Sequence, residues 1–185
     1  MTRLLLVSAL VVSVLPGTAD AQSDVEGRRT SQSSPLSLRS DWEHQRRHLL
    51  AVIDSATPAM LGFRPTPGVR TFAEQIDHVA RVAALITRGV IADRPWPDGL
   101  DADTASYLHD RSRLRAQTDR FLGYVVEAVS AVPEARWVED ATLFRMTLSR
   151  FRWNVTALQH SSWTLGQLVP YLRLNGRTPP PFTPL

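Results

Sequence analysis

The sequence contains no cysteine and no lysine, so all 21 of its strongly basic residues are arginines. The missing cysteine excludes disulfides, thiolate nucleophiles and zinc–cysteine clusters, and the missing lysine excludes Schiff-base chemistry at a side-chain amine. Any chemistry in this protein must therefore use histidine, carboxylates or hydroxyls. The net charge is only +3, with 18 acidic residues spread among the arginines, so we expect no nucleic-acid partner.

The chain divides into an export signal, a leader and one domain. Of its 185 residues, 43% are hydrophobic and 21% are charged, which suits a single packed core. Residues 1–21 are predicted to be a secretory signal peptide, because an apolar run over residues 4–15 precedes the cleavage site Ala19-Asp20-Ala21. The run is too short to span a bilayer, so we expect a periplasmic or secreted protein without a stable membrane span; an uncleaved anchor is the alternative. A flexible leader, residues 22–38, is predicted to precede a domain over residues 39–185.

Two capping boxes predict where the first two helices begin. Ser40 with Glu43 starts a helix that ends near Ala56, and Thr71 with Glu74 starts a second helix. After each box, apolar residues recur every three or four positions, which is typical of a helix with one buried face. The residues of the two buried faces are Trp42, Leu49 and Ile53, and then Phe72, Ile76, Val79, Ala83, Ile86 and Val90.

Two further helices are predicted over residues 104–132 and 149–175. The last helix carries no charged residue between Trp153 and Leu172, so we expect it to be covered on both sides and to lie centrally. No alternation typical of strands is long enough to be useful, and the sequence predicts an all-α protein, a four-helix bundle. The buried face of the third helix consists of Tyr107, Leu114, Phe121, Val125 and Ala128.

A row of polar residues on the last helix suggests a site inside the bundle. His160, Thr164 and Gln167 share one face, and a buried polar group without a partner costs about 1 to 3 kcal/mol. His78 borders the apolar stripe of the second helix and could supply that partner. Two imidazoles from facing helices make half of a metal site, although two ligands fall short of the three that a catalytic zinc ion normally has. The alternative is that each is a core histidine bonded to a hydroxyl or a carbonyl.

The other three histidines are predicted to lie at the surface. His44 and His48 have the spacing of a helical ligand pair, but they lie opposite the buried face of the first helix, which favours a solvated face. His109 lies beside charged residues on the third helix. No arrangement of nucleophile, histidine and acid is evident, so no catalytic residue is assigned.

Two motifs, together with His78, resemble those of a known family. They are Phe63-Arg64-Pro65-x-Pro67-Gly68-x-Arg70-Thr71 and His160-x-x-x-Thr164-x-Gly166-Gln167-Leu168. Over most of residues 40–182 the chain resembles the DinB/YfiT-like superfamily. The resemblance implies an antiparallel four-helix bundle, often a homodimer. It also implies a nickel or zinc ion held by one histidine of the second helix and two of the fourth.

The resemblance makes His78 and His160 metal ligands and places Thr164 where a third histidine is expected. Because a neutral hydroxyl is a weaker ligand than imidazole, this divalent-metal site is degenerate. Two hypotheses remain. The protein is a metal-dependent hydrolase or transferase that acts on a small molecule, or it is a non-catalytic bundle that has lost the metal and serves as a small-ligand-binding or structural protein in stress.

Overall fold

The computed structural model describes residues 34–100, 103–181 and 183. The predicted signal peptide and most of the predicted leader lie outside these residues. The end of that leader, Pro35–Ser37, forms a 3-10 helix whose last residue is buried. The packed domain therefore begins a few residues before the predicted boundary.

Four long helices form a bundle, which confirms the predicted fold class. None of the helices in the described part of the chain has the length and hydropathy that crossing a membrane requires. The four helices are α1 (Arg39–Ser55), α2 (Phe72–Ile86), α3 (Arg111–Ser130) and α4 (Arg150–Gly166), and a short α5 (Leu168–Leu174) follows α4.

Ion pairs show the relative direction of α1 and α3. The guanidinium of Arg46 lies 2.6 Å from the carboxylate of Asp119, and that of Arg115 lies 2.9 Å from Asp54. Since the later residue of α1 pairs with the earlier residue of α3, the two helices run antiparallel. These pairs are about one-third to one-half exposed, so each contributes little to stability.

The predicted faces of the first three helices form the core. Every residue assigned to those faces is buried, and Trp42, Phe72 and Phe121 are among the largest side chains there. Burying one such side chain contributes about 1.5 to 3 kcal/mol relative to leaving it exposed. Helical periodicity alone was therefore sufficient to find the buried faces of these helices.

The observed starts of the helices agree less well with those predicted from the sequence. The capping box of Thr71 and Glu74 is present, with both of its hydrogen bonds. The predicted box at Ser40 is wrong, because Leu38 occupies the N-cap position of α1 with a φ of 50°. α3 begins at Arg111, after a separate 3-10 turn over Thr104–Ser106.

The last helix differs from the prediction in both length and coverage. It breaks at Gln167, and α5 continues after the break. Trp153 and Ala157 are buried as expected, but Trp163 is 76% exposed on another side of the helix. The helix is therefore not covered all round: Gln159, Ser162 and Gly166 reach solvent without any charged group. The lack of charge in this segment was not a sign of complete burial.

A β-hairpin between α3 and α4 was not predicted. Its strands are β1 (Asp140–Leu143) and β2 (Met146–Ser149), paired antiparallel with Leu143 opposite Met146. Strands of four residues are too short to show alternation. The turn residues, Phe144 and Arg145, have φ values of 51° and 62°, where glycine or asparagine is usual. The turn therefore lacks the composition by which hairpins are recognised in a sequence.

Candidate functional site

α2 and α4 meet in an antiparallel arrangement that brings the predicted site residues together. The side-chain amide of Gln75 donates to Gln167 Oε1 at 2.8 Å and to the carbonyl oxygen of Thr164 at 3.3 Å. These bonds join the start of α2 to the end of α4. His78, about one turn after Gln75 on α2, lies beside His160, one turn before Thr164 on α4.

The two imidazole rings are in edge contact. Their centres lie 5.2 Å apart and their planes are inclined by 71°. Two imidazoles that each place a nitrogen about 2.1 Å from one zinc ion have ring centres roughly 5.3 Å apart at the tetrahedral angle, and never more than roughly 6.4 Å apart. The spacing of His78 and His160 thus fits a shared ion without movement of either helix.

The environment keeps both rings in the form that binds metals. Burial lowers the pKa of His78 and of His160, and the positive charge of Arg70 lowers each pKa further. Both rings are therefore neutral at pH 7. In addition, Nδ1 of His160 is buried and has no hydrogen-bond partner among the described residues. A buried nitrogen of this kind is unusual unless something binds it.

Thr164 lies one turn after His160 and is only 6% exposed. Its hydroxyl is a weak ligand, in contrast to the imidazole that the resemblance leads one to expect. Across residues 34–100, 103–181 and 183, no three His, Cys, Asp or Glu side chains come together in a group that could hold a metal ion. The two imidazoles fit a metal, and the third position does not supply a strong ligand.

Arg70 lines two clefts, and His78 lines the second of them. We call the first the Arg70–Tyr171 cleft; its volume is about 630 Å³, and Arg70 is the one charged residue that lines it in the described part of the chain. The second, the Arg70–His78 cleft, has a volume of about 470 Å³ and is lined by two arginines and two acids. Residues that line the first cleft include Val69, Arg70, Gln75, Gln167, Pro170 and Tyr171.

A polar cluster in the Arg70–His78 cleft was missed by the sequence analysis. The hydroxyl of Tyr107 donates to the Asp77 carboxylate at 2.5 Å, and Nε of Arg81 lies 3.1 Å from the same carboxylate. Burial and Asp77 raise the pKa of Tyr107, so its hydroxyl stays protonated. The four-residue spacing of Asp77 and Arg81 could have predicted their ion pair from the sequence. The position of Tyr107 could not be predicted, because it depends on the path of the connection between α2 and α3.

The remaining histidines divide into a pair and a single residue. His44 and His48 are half-buried and line a groove between α1 and α4, so the predicted solvated face is partly covered. His109 is exposed, as expected.

Comparison with known proteins identifies the family. The model of the DinB superfamily matches residues 41–168. A DinB-like protein of Bacillus subtilis has a solved structure that superposes with a TM-score of 0.65 at 16% identity, over 78% of this chain and 95% of that one. A DinB-like protein of Bacillus cereus gives a TM-score of 0.62 at 19% identity, over 83% of this chain and 99% of that one.

No curated protein sequence matches the chain. The two solved structures share the helical fold, and the family model covers more than half of the sequence, including both site histidines. The chain belongs to the DinB superfamily.

Proposed function

We propose that this protein binds a divalent nickel or zinc ion between His78 and His160 and uses it in the hydrolysis or transfer of a group on a small molecule. The observation that carries the proposal is the contact of the two rings at 5.2 Å, together with the buried, unpartnered Nδ1 of His160. Neutral imidazoles from facing helices are a common basis for metal sites in bundles.

The ligands are the two imidazoles, with the hydroxyl of Thr164 as a weak third group. A divalent ion supplies, when it is bound, polarisation of a substrate oxygen or sulfur. The hydrogen bonds of Gln75 to Gln167 and to the backbone at Thr164 hold α2 against α4, and so preserve the separation of the two rings. With only two strong ligands, we expect weaker binding than at a three-histidine site.

Arg70 defines the kind of small molecule that the site would accept. Of the described residues, it is the one charged residue that lines the Arg70–Tyr171 cleft, whose other polar side chains there are amides and the Tyr171 hydroxyl. The Tyr171 hydroxyl donates to the carbonyl oxygen of Arg70 at 2.8 Å and fixes the backbone there. An anionic group, such as a carboxylate, would be drawn to this guanidinium, whose positive charge also acts on both histidines.

One observation favours a second candidate function. Thr164 stands where a third ligand would be needed, and no cluster of three strong ligands occurs in the described ranges. A metal-free bundle that binds a small molecule at the same histidine pair accounts for this directly. In that case the imidazoles would donate and accept hydrogen bonds to the ligand.

Metal analysis of the full chain, produced without a histidine tag, distinguishes the two candidates. The proposal predicts one zinc or nickel ion per chain at this site, and His78→Gln with His160→Gln should remove that ion. His109→Gln is the matched control and should bind as the wild type does, since His109 is exposed and on another element. If the double variant loses thermal stability or ligand affinity but no metal, the metal-free candidate is correct.

We also propose that the chain is exported through its predicted signal peptide. The proposal rests on the sequence pattern of residues 1–21. Expression of the full chain, fractionation of the cells and sequencing of the mature N-terminus test it. Cleavage after Ala21 is expected, and a chain that stays in the cytoplasm with Met1 intact would refute it.

A further inference from the structure

A second pair of imidazoles lies on α1, apart from the site described above. His44 and His48 are one helical turn apart, their ring centres are separated by 5.9 Å and their planes are inclined by 84°. Both side chains are half-buried, and neither takes part in the site between α2 and α4.

The two rings line a groove of about 440 Å³ between α1 and the α4–α5 segment. Asp41 lies in the same groove, one turn before His44, and Leu158, Leu165 and Val169 form its apolar wall. Among the described residues no arginine lines the groove, although the chain is rich in arginine. A cation in this groove would therefore meet one acid and two imidazoles.

The backbone that carries the pair is held rigidly. Nε2 of Gln45 donates to the hydroxyl of the buried Ser161 at 2.9 Å, and Nε1 of Trp42 donates to the buried Asn154 at 2.8 Å. These bonds flank the first histidine and join α1 to α4. Binding of an ion would thus require only rotation of the two side chains, without ordering of the helix.

The distance between the rings permits a shared ion. Ring centres of two imidazoles on one zinc ion lie at most roughly 6.4 Å apart when each nitrogen is about 2.1 Å from the ion. The observed 5.9 Å is within this limit.

We propose that His44 and His48 form a bidentate site for a divalent transition-metal ion such as zinc or nickel, separate from the site of His78 and His160. With two protein ligands, the remaining coordination positions are open toward the groove. The site therefore binds metal more weakly than a closed structural site with four protein ligands.

The test is a calorimetric titration of the untagged full chain with Zn²⁺ at pH 7.5. We expect two zinc ions per chain in the wild type and one in the His44→Gln, His48→Gln double variant. Each single substitution should weaken this second site at least about tenfold, because a chelate needs both rings. His109→Gln removes the one histidine without a histidine neighbour and should leave both sites intact.

The outcomes separate this proposal from the proposed function. If the wild type binds one zinc ion and the His44→Gln, His48→Gln variant binds none, the α1 site is supported and the site of His78 and His160 is contradicted. One zinc ion that is lost in His78→Gln, His160→Gln, with no effect of the α1 substitutions, overturns the α1 site. Unchanged binding in the α1 double variant also overturns it.

A measurement on the wild type guards against variants that fail to fold. Paramagnetic Ni²⁺ broadens the NMR signals of the imidazoles that bind it. We expect the ring signals of His44 and His48 to broaden together at substoichiometric Ni²⁺ while those of His109 stay sharp. Broadening of neither ring, or of only one, would contradict a shared ion.

Discussion

The imidazole rings of His78 and His160 are in edge contact across the α2–α4 interface, with their centres 5.2 Å apart. Each ring has its pKa lowered by burial and by the charge of Arg70. The contact therefore joins two neutral imidazoles, and the buried Nδ1 of His160 has no hydrogen-bond partner in the part of the chain that the structure describes. This pair is the basis of the function proposed for the protein.

Restoring a third imidazole should strengthen the metal site. Thr164→His places a strong ligand where the hydroxyl now lies, and we expect zinc affinity to rise at least about tenfold. Thr164→Val, which has nearly the same shape, is the control and should not bind more tightly than the wild type. Calorimetric titration measures both.

Because Thr164 is nearly buried, the larger side chain could disturb the fold. Thr164→Asp offers a smaller strong ligand, and far-UV circular dichroism checks that each variant is folded. If both ligand-bearing variants fold and neither binds zinc more tightly than the wild type, position 164 does not face a metal.

The stability of the metal-free protein should fall as the pH drops below neutrality. The folded-state pKa of both histidines lies below the ordinary value of about 6.5, so the unfolded chain takes up protons first. Stability is therefore greatest above pH 6.5 and is lost as the pH falls through the lowered values. Urea unfolding between pH 8 and pH 5, with a chelator present, should show a smaller loss in His78→Gln, His160→Gln than in the wild type.

His109→Gln serves as the control for this pH dependence, since its side chain is exposed. It should follow the wild-type curve. An equally steep loss in the double variant and the wild type would mean that the histidine pair is not the group that titrates.

Much of this architecture could be predicted from the sequence, because burial of one helix face imposes a period that apolar residues reveal. Phe72, Ile76 and Val79 show this clearly for α2. The same period put His78 beside the core and put His160 on the polar row of the last helix. Their contact could not follow from periodicity, since it depends on the register of α2 against α4, which the bonds of Gln75 set.

Other features depended on contacts between segments distant in sequence. The Tyr107–Asp77 bond requires the long connection between α2 and α3 to fold back on α2. The exposure of Trp163 shows that an uncharged helix can still face solvent. The hairpin could not be predicted from the sequence, because its strands are short and its turn residues, Phe144 and Arg145, are atypical of hairpin turns.

The two predicted capping boxes make a matched pair of tests. Thr71 accepts a hydrogen bond from the backbone of Glu74, whereas Ser40 lies inside α1, after the N-cap. Thr71→Ala should therefore lower the free energy of unfolding by about 1 kcal/mol, and Ser40→Ala should change it by less than about 0.5 kcal/mol. Equal effects in chemical denaturation would show that the start of α1 or α2 is misassigned.

The hairpin turn offers a site for stabilisation. Phe144 and Arg145 adopt left-handed conformations that cost roughly 1 to 2 kcal/mol per residue for side chains of this kind. Phe144→Asn with Arg145→Gly supplies the residues that such turns favour and should raise the melting temperature. Thr142→Asn, on the adjacent strand, is the control, and a melting temperature that does not rise in the turn variant would contradict the assigned turn.

The most direct test of the central claim is a crystal structure of the zinc-loaded protein with anomalous data at the zinc edge. We predict an anomalous peak between His78 and His160, within bonding distance, about 2.1 Å, of a nitrogen of each ring. A zinc-saturated crystal without density between the two rings, or with zinc bound to only one of them, would contradict the account.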